Sequence, residues 1–138
     1  MFHLMQPAVA ESPRILVVDD STLVRSLLAD ELREVGFDVD VASSNAKALE
    51  AIAHRPPDVA ILDLFLEDGA TGFEVARILR SSRATAMTFI IALSGHYAPD
   101  CVRLARDAGC DRFLVKPCPT DDIVEMIGLF LGSRAAGA

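Results

Sequence analysis

Ile15-Leu16-Val17-Val18-Asp19-Asp20 runs four apolar residues straight into two acids. Three later stretches repeat the pattern. Val59-Ala60-Ile61-Leu62 leads into Asp63, Phe89-Ile90-Ile91-Ala92-Leu93 into Ser94-Gly95, and Phe113-Leu114-Val115 into Lys116-Pro117. Short apolar runs bounded by turn residues read as strands buried on both faces of a parallel sheet. Ligands of open parallel sheets bind at the carboxyl ends of the strands. If the four runs lie side by side and point the same way, three carboxylates, one hydroxyl and one ammonium gather in one pocket.

The segments between these runs read as helices. Ser21 to Val35 places Val24, Leu27, Leu28, Leu32 and Val35 on one face, and Gly36 suits a C-terminal cap. Phe37 to Ala42 alternates apolar and polar residues, as an edge strand does. Ser44 can cap a second helix, Asn45 to Ala53, and the central strand is expected from Asp58 to Leu64. Glu67 to Gly72 reads as a loop and Phe73 to Leu79 as a third helix. The fourth strand is expected from Met87 to Leu93, and a fourth helix from Pro99 to about Ala108. Arg112 to Val115 is the fifth strand. Thr120 is expected to cap a last helix, whose positive end Asp121 and Asp122 favour. Repeated βα units imply an α/β fold, a parallel sheet with right-handed crossovers and helices on both faces.

A chain of 138 residues fits one domain. The expected organisation is a flexible lead-in over 1–13, one domain over 14–132 and a tail over 133–138. At 51% hydrophobic residues the composition suits strands covered on both faces. No apolar run approaches a membrane span, and Met1 to Pro13 lacks a basic start, so no membrane association is expected. The net charge of −7 disfavours nucleic acid as a partner. Only Ser133 to Ala138 follow the last expected helix, too few for a helix-turn-helix. Three scattered cysteines, Cys101, Cys110 and Cys118, suggest a reducing, cytoplasmic setting. His3, His54 and His96 show no metal spacing.

Asp19, Asp20 and Asp63 would crowd three negative charges together. At about 4 Å each pair repels by roughly 4 kcal/mol in an effective dielectric near 20. A hard divalent cation offsets that repulsion, and Mg²⁺ (or Mn²⁺) characteristically joins carboxylates to a phosphate. A carboxylate can also act as the nucleophile and form an aspartyl phosphate. Lys116 can bind phosphate oxygens, and the Ser94 hydroxyl can donate to one. Taken singly, Asp20 could be only a helix cap and Asp63 only a turn carboxylate. Their conjunction at four strand ends argues for a site.

Val17-Val18-Asp19-Asp20-Ser21, Ile61-Leu62-Asp63-Leu64, Ala92-Leu93-Ser94-Gly95 and Val115-Lys116-Pro117 resemble the marks of response-regulator receiver domains. The resemblance runs from about Arg14 to Leu131. It implies a doubly wound, flavodoxin-like fold of five parallel strands in the order 2-1-3-4-5 with five helices. It makes Asp63 the phosphoacceptor, and it gives Asp19, Asp20, Asp63 and the backbone carbonyl of Phe65 to Mg²⁺. Ser94 and Phe113 become the switch pair and Lys116 a phosphoryl ligand. Phe65 and His96 fall at positions that tune the acyl phosphate's lifetime. Lys116-Pro117 is commonly cis in the family.

Three departures stand out. Glu67 occupies a position often held by Pro, Gly72 comes nine rather than eight residues after Asp63, and Cys118 replaces a frequent Phe. A smaller packing residue or a redox group are the two readings of Cys118.

The implied partners are a histidine kinase or histidine phosphotransfer protein as donor and an unknown protein target. The broad apolar coverage of the last helix, with Met126 and Leu129, adds a possible homodimer through helix four, strand five and helix five. A binding module that is not phosphorylated, a phosphohydrolase with an aspartyl nucleophile, and a receiver cut from a longer hybrid kinase or transcription regulator are competing readings. The second commonly needs an acid two residues past the nucleophile, where this chain has Phe65.

Overall fold

The structure, a computed structural model, describes residues 12–65, 72–95 and 99–136. Strands and helices alternate: β1 (Arg14–Val18), α1 (Thr22–Val35), β2 (Asp38–Ala42), α2 (Asn45–His54), β3 (Val59–Asp63), α3 (Gly72–Ser81), β4 (Phe89–Ser94), α4 (Pro99–Ala108), β5 (Arg112–Val115) and α5 (Thr120–Ala136). The five strands form one parallel sheet in the order β2-β1-β3-β4-β5. Chain order reverses between β1 and β3. The loops leaving these two strands therefore diverge and open a crevice at their carboxyl ends.

Alternate residues of each strand feed opposite layers. Leu16, Val18, Ala60, Leu62, Ile90 and Ala92 pack beneath Ala48 of α2, Val75, Ala76 and Leu79 of α3, and Ala105 and Ala108 of α4. Ile15, Val17, Val59, Ile61, Ile91 and Leu93 meet Leu28, Ala29 and Leu32 of α1 and Ile123 and Ile127 of α5. Each fully buried Leu or Ile contributes about 1.5–3 kcal/mol. Helix starts and stops follow local chemistry. The Ser21 and Ser44 side chains accept from Val24 N and Lys47 N at the N-termini of α1 and α2. Gly36 ends α1 at φ +112°, a left-handed conformation natural to glycine.

Several boundaries differ from the sequence reading. Ser21, not Asp20, caps α1. Thr120 is the first residue of α5 rather than its cap. The fourth strand starts at Phe89. Met87 lies outside it and is 83% exposed, because Thr88 N bonds Thr85 O and closes a turn just before the strand. The last helix continues to Ala136, so residues 133–136, expected in a tail, are helical. The lead-in over 1–11, the loop with Glu67 and Gly69, His96 and residues 137–138 lie outside the described residues.

Candidate functional site

The ends of β1, β3, β4 and β5 deliver the parts of the site. Asp19 N bonds Ala42 O at 3.1 Å, which carries the β1–β2 ladder one residue past the strand and sinks Asp19 to 2% exposure. Its Oδ1 accepts from Ser21 N at 2.9 Å, which folds the side chain over the start of α1. Asp63 ends β3 with only 6% exposure. Leu64 N reaches Leu93 O at 3.0 Å, so the chain stays pinned to β4 just beyond Asp63. Ser94 closes β4 fully buried, and its carbonyl accepts from Lys116 N at 2.7 Å. That bond sets the backbone from which the Lys116 side chain reaches back across the sheet. The Lys116-Pro117 bond is cis.

The carboxylates of Asp19, Asp20 and Asp63 each offer an oxygen within 4.8 Å of the others. At that separation each pair repels by roughly 3–4 kcal/mol in an effective dielectric of about 20. Lys116 Nζ lies 2.7 Å from Asp19 Oδ2 and 3.4 Å from Asp63 Oδ2. Burial raises the Asp63 carboxyl above its ordinary pKa; Lys116 pulls it down, and Asp19 pushes it up again. For Lys116, burial works against the charged form, but the hydrogen bond and charge of Asp19, with Asp63, prevail and raise its pKa. The group is thus a compact, half-buried cation between two acids. All three acids are hard oxygen donors on one side of an open crevice, a set that suits a hard divalent ion.

Phe65 is the least buried of the expected residues among those described, at 43% exposure, and its ring meets Phe73 edge-on at 6.2 Å. Its N–H donates to Asp63 Oδ1 at 3.3 Å. Phe113 is half-buried against the α2–α3–α4 layer and borders a cavity of about 80 Å³ with Val102, Ala105 and Cys110. Asp19, Asp20, Asp63 and Lys116 are therefore brought together, with Ser94 at the end of the neighbouring β4 and Phe65 two residues past Asp63. Cys118 lies beyond Lys116, its thiol donating to Pro119 O at 3.8 Å. Burial and Asp122 push its pKa up, which keeps it a protonated packing group.

Gly72, marked in the sequence by its spacing from Asp63, and Arg25, which the sequence reading does not single out, both touch the site. Gly72 N bonds Leu64 O, and a Cβ at Gly72 would stand 2.6 Å from the Asp63 carbonyl oxygen. Only glycine lets α3 start that close behind the acceptor strand. Arg25 Nη1 donates to the Asp19 carbonyl at 2.8 Å. Its signal is its position: a basic residue in the first turn of a helix that follows directly on an acidic pair.

With this geometry the chain matches the response regulator receiver domain family over residues 15–128, and it belongs to that family. A receiver domain is a signalling switch rather than a metabolic enzyme. The chain is 34% identical over 115 residues to the photosynthetic apparatus regulatory protein RegA of Rhodovulum sulfidophilum, covering 83% of this chain and 61% of that protein. It is 33% identical over 114 residues to the DNA-binding response regulator MtrA of Mycolicibacterium paratuberculosis, covering 83% and 49%. It thus spans about half to three-fifths of these relatives' length. A crystal structure of a CheY-like receiver domain protein from Methanospirillum hungatei shares the fold with a TM-score of 0.84, at 24% identity, over 92% of this chain and 99% of that one. Among the described residues no helix is long and apolar enough to cross a membrane.

Proposed function

We propose that this chain is the phosphoacceptor switch of a two-component or phosphorelay system, with Asp63 as the residue phosphorylated. The observation that carries the reading is Lys116 Nζ between Asp19 and Asp63, beside three carboxylates within 4.8 Å of one another. Asp19, Asp20, Asp63 and the Phe65 carbonyl would hold Mg²⁺ or Mn²⁺, which when bound supplies charge neutralisation for the carboxylates and the incoming phosphoryl group.

The donor is a phosphohistidine of a kinase or histidine phosphotransfer protein. An Asp63 carboxylate oxygen attacks phosphorus in line, an O–P bond forms, and the N–P bond breaks with its electron pair leaving on the imidazole nitrogen. Lys116 turns from its two carboxylates toward the transferred oxygens. Ser94 donates its hydroxyl to one of them. Phe113 then shifts inward toward the neighbouring cavity, which biases the face of α4, β5 and α5 between two arrangements. Leu104, Val115 and Leu129 are the exposed apolar residues of that face, which serves a protein target or a second copy. Hydrolysis of the acyl phosphate resets the switch. Phe65 covers the approach to Asp63 and slows the attacking water, and His96 is the second tuning position. The setting is cytoplasmic, with neither nucleic acid nor membrane as this domain's partner.

Incubation with acetyl phosphate and Mg²⁺ should add one phosphoryl group by intact mass, and Asp63→Asn should abolish it. A folded protein that stays unlabelled at saturating Mg²⁺ would leave only the phosphorylation-independent binding module. Turnover of a phosphate ester would point instead to the hydrolase, for which Phe65 offers no acid-base group.

A further inference from the structure

We propose that Arg25 is a positioning residue for the Asp19–Asp20 pair, an inference that rests on the metal-assisted reading above. Arg25 lies in the first turn of α1, and that turn holds no acidic residue. A cation at a helix N-terminus opposes the helix dipole, so the helix alone gains nothing from it there. The guanidinium is half-buried and turned back, with Nη1 2.8 Å from the Asp19 carbonyl oxygen.

The other polar atoms of Asp19 are held from elsewhere. Its N–H bonds Ala42 O, Oδ1 accepts from Ser21 N, and Oδ2 accepts from Lys116. The Asp19 carbonyl belongs to the peptide that links the two acids. Its orientation sets where the Asp20 side chain leaves the backbone. Arg25 holds that peptide plane from one side while Lys116 holds the Asp19 carboxylate from the other. Loss of the guanidinium therefore frees the Asp20 half of the pair and leaves Asp19 in place. Outer partners of this kind typically alter metal affinity without touching the ion.

The test is Mg²⁺ titration by calorimetry of the unmodified chain, Arg25→Gln and Arg25→Lys, with backbone ¹⁵N spectra and a melting curve for each. Arg25→Gln should bind Mg²⁺ about tenfold more weakly. Its Asp20 amide nitrogen, which shares the peptide with the Asp19 carbonyl, should shift while the bulk of the spectrum is retained. Arg25→Lys should recover part of the affinity. An unchanged Mg²⁺ affinity in Arg25→Gln, with or without a lower melting temperature, would overturn the inference and leave the reading of the site intact. Absence of Mg²⁺ binding by the unmodified chain would overturn both.

Discussion

At the rim formed by the strand starts, Asp38, Asp58 and Asp111 each face a guanidinium. Arg55 bonds Asp38, Arg134 lies 3.3 Å from Asp58, and Arg80 lies 2.7 Å from Asp111. Two of these acids also accept a backbone N–H, from Arg14 and from Ile90. At the opposite rim Asp19 and Asp63 divide one ammonium between them, with Asp20 alongside. The first rim pairs each charge with its own counter-charge and the second crowds like charges together. The first ties the ends of α2, α3 and α5 to the sheet. The second keeps net negative charge at a crevice, which lowers stability locally and creates demand for a cation. Functional sites commonly break local rules in this way while the surrounding scaffold obeys them.

Changes at either rim can break or sharpen this contrast. The largest expected effect is that of Lys116→Ala, which should slow labelling by acetyl phosphate about 100-fold, since it removes the cation aimed at the transferred oxygens. A rate near that of the unmodified chain would mean that Lys116 is only a structural partner of Asp19. Next comes Arg80→Ala at the other rim. Arg80 donates to Ala86 O, Thr88 O and Asp111, so its loss should lower unfolding stability by about 2–3 kcal/mol, read from urea denaturation. Its labelling rate should not change. A large drop in labelling would show that the two rims are coupled.

A smaller effect with a distinctive sign is expected at Asp63. Burial raises its folded pKa, so the folded chain keeps that proton at pH values where the unfolded chain has lost it. Its contribution to stability is fully present below the unfolded pKa and is lost as pH rises through the folded value. Asp63→Asn should therefore raise the melting temperature of the metal-free protein at neutral pH, and the gain should vanish in acid. A lower melting temperature at neutral pH would mean that attraction to Lys116 outweighs burial. The Lys116 pKa is raised as well, so its pairing persists through the neutral range and is lost only as alkaline pH passes its folded value. The smallest effect is that of Phe65→Asn, which should speed decay of the phosphorylated protein several-fold by opening the approach to Asp63. An unaltered decay rate would reject a shielding role for Phe65.

Much of the molecule is legible in the sequence alone. Apolar runs with fixed ends mark β1, β3, β4 and β5, because a strand buried on both faces admits few polar residues and stops where they begin. The same ends carry Asp19, Asp20, Asp63, Ser94 and Lys116, so the pattern that reveals the strands also reveals the candidate site. The start of β4 is not legible because Met87 is apolar yet exposed, and hydropathy does not register the Thr85–Thr88 turn. The reach of α5 is not legible because residues 133–136 continue the helix beyond its last large apolar residue, Leu131.

By itself, then, the sequence determined the alternation of strands and helices, the parallel sheet and the residues at its strand ends, since these follow from local periodicity and the polarity of neighbouring positions. Tertiary structure alone decided how Lys116 is split between Asp19 and Asp63, that Gly72 lies against the Asp63 carbonyl, that Arg25 holds the Asp19 peptide, and that the acids at the opposite rim are neutralised one by one. Each of these depends on groups that meet only when helices fold back over strand ends, where distances of a few tenths of an ångström fix the sign and size of the interaction.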